Sequence, residues 1–295
     1  MIHSRQENAT LLEADETAPL RVSIQGYKGA FHEIAARHCF SEREVSIVPA
    51  HTFSELVEAV EKGETVDTGL MAIENTIAGS LMHNYELLRN SSLQITGEVY
   101  LRIKQNLMAL PGQKIEDLEE VHSHPIAIEQ CRPFFRQFPH IKLIAIEDTA
   151  LAARNIQEQQ AKNIGAIAST LAADVYDMEI LAASIETNKK NHTRFLVLNQ
   201  ERAIPAEAKK VSLCFSVDHL AGALHQTLGV LAAYNINLTK IQSAPIIGKP
   251  WEYRFYVDFV SKGKVSFEHA LHAIEPLTHD LQVLGIYHKG EHFDV

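Results

Sequence analysis

An apolar strand pattern runs into a polar turn and then a helical pattern three times in the first half of the chain, and this punctuation restricts the fold more than any other feature. Arg21 to Gln25 reads as a short strand, Gly26-Tyr27-Lys28-Gly29 as a glycine turn, and Phe31, Ile34, Ala35 and His38 as a helix start. Thr68 to Ile73 is apolar enough for a buried strand; the polar Glu74-Asn75-Thr76 follows, then a helix through Leu81, Tyr85 and Leu88. Glu120-Val121 leads through His122-Ser123-His124-Pro125 into a helix over Ile126 to Phe138, with Pro125 suited to its first turn. Leu143 to Ile146, the Ala-rich stretch Thr149 to Gln160, and Ile164 to Ser169 continue the alternation. The pattern predicts α/β layers with mainly parallel strands, in which ligands sit beyond the carboxyl ends of the strands. Helix starts gathered there offer backbone N–H groups and the positive ends of helix dipoles, an anion cleft in outline.

Composition narrows the classes. A chain of 295 residues allows two or three packing units with cores of their own. Hydrophobic content of 46% and charged content of 22% are ordinary for a soluble globular chain, and no apolar run approaches the roughly 18 residues needed to span a bilayer. Residues 1–20 are polar and acidic, lack the plan of a secretion signal, and read as a flexible tail. Cys39, Cys131 and Cys214 are far apart and odd in number, which suits free thiols in a reducing compartment and a cytoplasmic location. A net charge of -10 argues against a nucleic-acid surface, so an anionic ligand would need a locally positive site. Among 16 histidines the close pair His122 and His124 has no Cys or carboxylate at ligand spacing, and no metal site is expected.

The segment Thr187 to Leu198 delivers a hydroxyl, a guanidinium and a ring, Thr193-Arg194-Phe195, from a polar turn into an apolar strand. Such a trio lines a pocket for a small anion, or it is a strand start with an exposed Arg and a core Phe. Asn199 to Lys210, with Arg202, Pro205 and Glu207, reads as a linker. Beyond it, Val211 to Val217 alternates as a strand, Ala221 to Tyr234 carries a helical stripe, and Asn237 to Ile241 resumes β character. After the Gly248-Lys249-Pro250 break come an aromatic run from Trp251 to Phe259, a helix over Phe267 to Ile274 and a last strand, Leu281 to Tyr287. The order βαββαβ predicts a ferredoxin-like α+β module.

With these pieces in place, residues 21 to 290 resemble a monofunctional prephenate dehydratase with a C-terminal ACT regulatory domain. The resemblance is carried by Gly26-Tyr27-Lys28-Gly29-Ala30-Phe31, Ile73-Glu74-Asn75-Thr76-Ile77-Ala78-Gly79-Ser80, Ser123-His124-Pro125 with Gln130-Cys131, and Thr193-Arg194-Phe195. In the C-terminal part it is carried by Gly222-Ala223-Leu224, Asn237-Leu238-Thr239-Lys240-Ile241 and Trp251-Glu252-Tyr253. It implies a bilobal type 2 periplasmic-binding-like catalytic domain over 21–200, with lobe one at about 21–100 and 187–200, lobe two at about 101–186, and an ACT domain over 208–295. The implied reaction is the decarboxylating dehydration of prephenate to phenylpyruvate in phenylalanine biosynthesis, without metal or organic cofactor. The chain would be inhibited by L-phenylalanine and assemble as a homodimer or homotetramer, with no nucleic-acid or membrane partner.

Prephenate is a dianion whose ring carboxylate and C4 hydroxyl must leave. The resemblance makes Thr193 the donor at the departing hydroxyl, and an aliphatic hydroxyl, being a very weak acid, fits polarisation better than full proton transfer. Arg194 either binds the pyruvyl carboxylate or holds the site's frame; gripping the departing carboxylate would stabilise the ground state. Phe195 is an apolar wall beside the ring or a plain core residue. Gly29, Glu74, Asn75, Thr76 and Ser123 are the remaining substrate-binding candidates. Phenylalanine is expected between ACT domains at Gly222, Ala223, Leu224, Asn237, Leu238 and the segment Gln242, Ser243, Ala244, Pro245. The chain departs from the family's common pattern at Ala30, Ile126 and Thr187, each replacing a polar residue, and at Gln242 and Ala244, where the Glu and Arg of Glu-Ser-Arg-Pro are lost. Arogenate dehydratase is the enzymatic alternative, and a non-catalytic sensor of an aromatic metabolite the other.

Overall fold

The computed structural model describes residues 18–201, 204–205, 207–261 and 267–294. The tail lies outside these up to residue 17, as do Arg202, Ala203 and Ala206 of the expected linker. The chain opens with β1 (Leu20–Gln25), α1 (Phe31–Cys39), β2 (Val45–Ala50), α2 (Phe53–Lys62), β3 (Thr68–Asn75), a short β4 (Gly79–Ser80), α3 (Met82–Asn90) and β5 (Gln94–Arg102). It then crosses to a second sheet through β6 (Asn106–Ala109), β7 (Glu120–Ser123), α4 (Pro125–Phe135), β8 (Lys142–Ala145), α5 (Thr149–Gln159), β9 (Ile164–Ala168), α6 (Thr170–Val175) and β10 (Glu179–Ala182). The return strand β11 (His192–Asn199) precedes β12 (Lys210–Ser216), α7 (Ala223–Ala233), β13 (Ile236–Pro245), β14 (Tyr253–Ser261), α8 (Phe267–Ile274), β15 (His279–Tyr287) and β16 (His292–Phe293).

Two sheets result. The larger runs β2-β1-β3-β11-β5 and continues through β15-β12-β14-β13, with β4 on β3 and β16 on β5; the smaller runs β8-β7-β9-β6-β10. This is the expected fold class: two α/β lobes in the type 2 periplasmic-binding-like manner and a ferredoxin-like module. The expectation of mainly parallel strands holds only for part of each sheet. β1 is parallel to β2 and β3, and β7 to β8 and β9, but β11 is antiparallel to both β3 and β5, and β6 to both β9 and β10. The antiparallel strands are those at which the chain crosses between lobes, where no βαβ crossover imposes parallel pairing.

Local chemistry explains the element ends. Thr52 accepts a hydrogen bond from the Glu55 N–H to start α2, and Gly63, at φ 65, stops it in a left-handed C-cap. Helix α4 begins at Pro125 and ends at Phe135 rather than at Phe138; it contains Pro133, and beyond Phe135 the chain closes into turns.

The module's own core contains Val211, Phe215, Leu231, Phe259 and Ile274. A different cluster joins Met71, Ile73, Tyr85, Ile95 and Leu196 of lobe one to Cys214, Tyr256, Leu284 and Tyr287 of the module, so lobe and module share buried apolar surface. Where β15 meets β5, a Cβ on Gly285 would stand 2.3 Å from the Ile95 carbonyl oxygen; glycine permits this approach. Among the described residues no helix is long and apolar enough to cross a membrane.

Candidate active site

A cavity of about 500 Å³ opens where the carboxyl ends of strands from both sheets face each other. Five helices begin at its wall: α1 at Ala30 and Phe31, α2 at Thr52 and Phe53, α3 at Leu81, α4 at His124 and α5 at Asp148 and Thr149. Three of these starts are closed by their own side chains, Thr52, His124 and Asp148, each accepting from a backbone N–H. Ala30 and Leu81 make no such side-chain cap at the starts of α1 and α3. Among the described residues lining the cavity none is Lys or Arg. The positive groups at this wall are helix termini rather than cationic side chains, and they stand beside the carboxylates Glu147 and Asp148.

At the centre sits Thr193. The Asn75 amide donates from Nδ2 to Thr193 Oγ1 at 2.9 Å and to Asn191 Oδ1 at 2.8 Å, while its Oδ1 accepts from the Ile77 and Ala78 N–H groups, both at 2.9 Å. Those two backbone donors fix which way the amide faces. Because Thr193 Oγ1 accepts from Asn75, its own hydrogen is free to be donated to a ligand. The chain of amides ends across the cleft, where Asn191 Nδ2 donates to Gln130 Oε1 of α4 at 2.9 Å. Tyr27 likewise reaches from lobe one to lobe two, its hydroxyl donating to Glu147 Oε1 at 3.1 Å.

The apolar side is Phe31, Phe53 and Phe195, with Phe195 buried and meeting the His32 ring edge-on at 4.9 Å between centroids. Burial holds His32 down to about 4, so its imidazole is neutral, and its Nε2 has no protein partner. Burial also lowers His124, against the raising effect of nearby Asp148. Asp148 itself is raised by burial, which outweighs the N–H groups of Leu151 and Ala150.

Of the expected site residues, the structure brings Thr193, Phe195 and Asn75 to the cavity and leaves the others off its wall. Thr76 Oγ1 donates to the Lys190 carbonyl at 3.1 Å and accepts from the His192 N–H at 3.0 Å, pinning the turn before β11. Ser123 is fully buried and donates to the Ile167 carbonyl at 2.7 Å, a tie between neighbouring strands. Gly29 packs on α6, where a Cβ would lie 2.8 Å from Ala172 Cα. Glu74 pairs with Lys240 at 3.0 Å on the far side of the sheet. Arg194 also points to that side, because side chains alternate along a strand and its neighbours Thr193 and Phe195 take the cavity face.

The Arg194 side chain is 5% exposed, and each of its three nitrogens has a partner. Nε donates to Glu98 Oε2 at 2.7 Å, Nη1 to Asp258, and Nη2 to the Tyr287 hydroxyl at 2.9 Å. Of the two roles open to it in sequence, this geometry matches holding the frame, not reaching a ligand in the cavity. Asn191, Gln130 and Gln105 also line the cavity; Gln130 lies in the Gln130-Cys131 motif and Asn191 in the segment Thr187 to Leu198, while Gln105 carries no local signal. Ala30 and Ile126, two of the family departures, do line it.

In the C-terminal module a smaller cavity of about 350 Å³ lies between the turn before α7 and the Trp251-Tyr253 segment. Leu224 lines it, and Gly222, at φ 86, makes the turn beside it. Asn237, Leu238 and Gln242 to Pro245 lie instead on β13, the edge strand of the large sheet, and do not line this cavity.

The sequence pattern of the prephenate dehydratase family matches residues 22–203, and the class so defined is that of carbon-oxygen lyases. The chain belongs to the prephenate dehydratase family. It is 40% identical over 291 residues to arogenate dehydratase 2 of Petunia hybrida, across 93% of this chain and 73% of that one. Its structure is similar to that of a prephenate dehydratase from Arthrobacter aurescens in complex with L-Phe, with a TM-score of 0.83, 25% identity, and coverage of 92% of this chain and 90% of the other. It is also similar to GqqA, described as a novel type of quorum quenching acylase, with a TM-score of 0.82, 28% identity, and coverage of 91% and 98%.

Proposed function

We propose that the chain converts prephenate to phenylpyruvate, carbon dioxide and water. The observation that carries this reading is the Asn75-oriented Thr193 hydroxyl in a cavity ringed by helix N-termini and walled by Phe195. In the reaction, the electrons of the bond to the ring carboxylate move into the ring and expel the C4 oxygen, so the ring becomes aromatic as carbon dioxide and hydroxide leave. Thr193 donates a hydrogen bond to the C4 oxygen as its negative charge grows, and the proton completing water comes from solvent. Donors aimed at a charge that develops only in the transition state raise the rate most. That none of the described residues on the cavity wall is Lys or Arg fits the same logic, since a full positive charge on the departing carboxylate would hold it in place.

Glu147 and Asp148 on the wall favour a second substrate. A carboxylate there suits the ammonium group of arogenate, which prephenate, with a keto group at that position, lacks; assays of both substrates beside Glu147→Gln rank them, and a variant that loses arogenate turnover selectively supports this reading. Phenylalanine inhibition is part of the proposal; the cavity at Leu224 has room for an amino acid, and the edge strand β13 offers a seam for a second copy in a dimer or tetramer. The deciding measurement is phenylpyruvate formation by the purified chain with and without phenylalanine, beside Thr193→Ala. Absence of turnover on both substrates by a folded chain sinks the catalytic proposal.

A further inference from the structure

We infer that the C-terminal module positions the Thr193 hydroxyl through Arg194, with Asp258 and Tyr287 as the positioning residues. The inference rests on the catalytic reading of Thr193 given above.

Four charges are buried together where the module meets lobe one: Arg194 on β11, Glu98 on β5, Lys210 on β12 and Asp258 on β14, with side chains no more than 5% exposed. They alternate in sign. Asp258 holds Arg194, Arg194 holds Glu98 at 2.7 Å, and Glu98 holds Lys210 through both oxygens at 2.7 Å. Ser212 connects the far end, donating to Asp258 Oδ1 at 2.6 Å and meeting the Tyr287 hydroxyl at 2.6 Å. Lobe one contributes one charge of each sign and the module one of each, so neither side is compensated as well alone as when interlocked.

Such a cluster is a poor way to gain stability, because desolvating four charges costs about as much as their attraction returns, and well-packed apolar side chains serve as well. What it supplies is geometry. The guanidinium is a rigid planar fork, and its three nitrogens are taken by three different elements: β5 through Glu98, β14 through Asp258 and β15 through Tyr287. Two of those three partners belong to the module. Arg194 shares a peptide bond with Thr193, so whatever fixes the fork fixes the strand that carries the hydroxyl. A displacement of about 1 Å at a reacting group costs on the order of a hundredfold in rate.

The test uses the full-length chain. Tyr287→Phe and Ser212→Ala each remove one hydroxyl and keep all four charges; Asp258→Asn removes a charge. Each is expected to lower kcat for the better substrate about tenfold with KM within about twofold, while thermal unfolding stays cooperative. In a Thr193→Ala background, Tyr287→Phe should leave the residual rate unchanged, because the group it positions is gone. Rate losses that multiply there, or a rise in KM at constant kcat, overturn the inference. Amide exchange gives a readout free of turnover. Tyr287→Phe should speed exchange over residues 192–195 and leave β1 and β7 as they are; unchanged exchange at 192–195 overturns it. A wild type inactive on both prephenate and arogenate sinks the catalytic reading by itself, and the exchange result then decides whether the module holds β11.

Discussion

Two polar regions lie back to back on β11 and are built in opposite ways. On the cavity face, Thr193 is held by neutral amides among helix starts, with no Lys or Arg among the described residues that line the cavity. On the other face, Arg194 stands among fully buried formal charges. Paired buried charge holds the strand, while helix dipoles and amides, with the carboxylates Glu147 and Asp148, face the ligand. The difference follows from what each region must do. A fixed frame tolerates deep electrostatic wells, whereas a site that must release part of its ligand works better with donors that strengthen only as charge develops.

The sharpest way to break this contrast is on the charged side. Glu98→Gln takes from Lys210 the carboxylate that holds it and leaves Arg194 with Asp258 and, at 4.0 Å, Glu74; loss of one partner from a buried cluster is expected to cost about 3–5 kcal/mol of stability, read as a fall in the urea midpoint. A cost under 1 kcal/mol would show that water enters the cluster freely. On the cavity side, Thr193→Ala is expected to lower kcat by about 100-fold or more, in line with removal of a transition-state donor worth roughly 3 kcal/mol, with the melting temperature little changed. If the melting temperature falls as far as it does for Glu98→Gln, the two faces are not functionally distinct.

Asn75→Ala should do less, about 1–3 kcal/mol in the activation barrier, since it frees the Thr193 hydroxyl to turn without removing it. Steady-state kinetics compared with Thr193→Ala checks the order, and an Asn75 effect larger than the Thr193 effect would make the amide itself the substrate donor. The smallest effect is one of pH. His32 takes its proton near pH 4 in the folded chain, whereas an unfolded chain takes it near 6.5. The unfolded state therefore binds more protons between these values, and the stabilising effect of a neutral His32 is full above about pH 6.5 and is lost as pH falls toward 4. His32→Gln should flatten that part of the stability curve; an unchanged slope would mean that the ring is charged when folded.

Much of the cavity was legible because it is made of local events. A strand end, a polar turn and a helix start fall within ten residues, and Gly26 to Phe31, Glu74 to Leu81 and His122 to Ile126 each announce themselves in that way. Other polar residues of those turns have protein partners away from the cavity wall. Ser123 donates to Ile167, Thr76 to Lys190, and Glu74 turns to Lys240. A hydroxyl beside a helix start looks the same in sequence whether it faces the cleft or a neighbouring strand. For Arg194 the alternation of a strand already contained the answer: if Thr193 and Phe195 face the cleft, Arg194 does not.

By itself, then, the amino-acid order determined the α/β lobes, the βαββαβ module and the hydroxyl and ring of β11, since hydrophobic period, turn chemistry and helix starts act over one or two turns of chain. Only the tertiary structure decided which groups hold that hydroxyl and which hold its neighbour. Asn75 stands 118 residues from Thr193, Glu98 is 96 from Arg194, and Tyr287 is 93 beyond it. Contacts at such separations carry no periodic signal in the sequence; they exist because sheet pairing brings distant strands to within a hydrogen bond of each other.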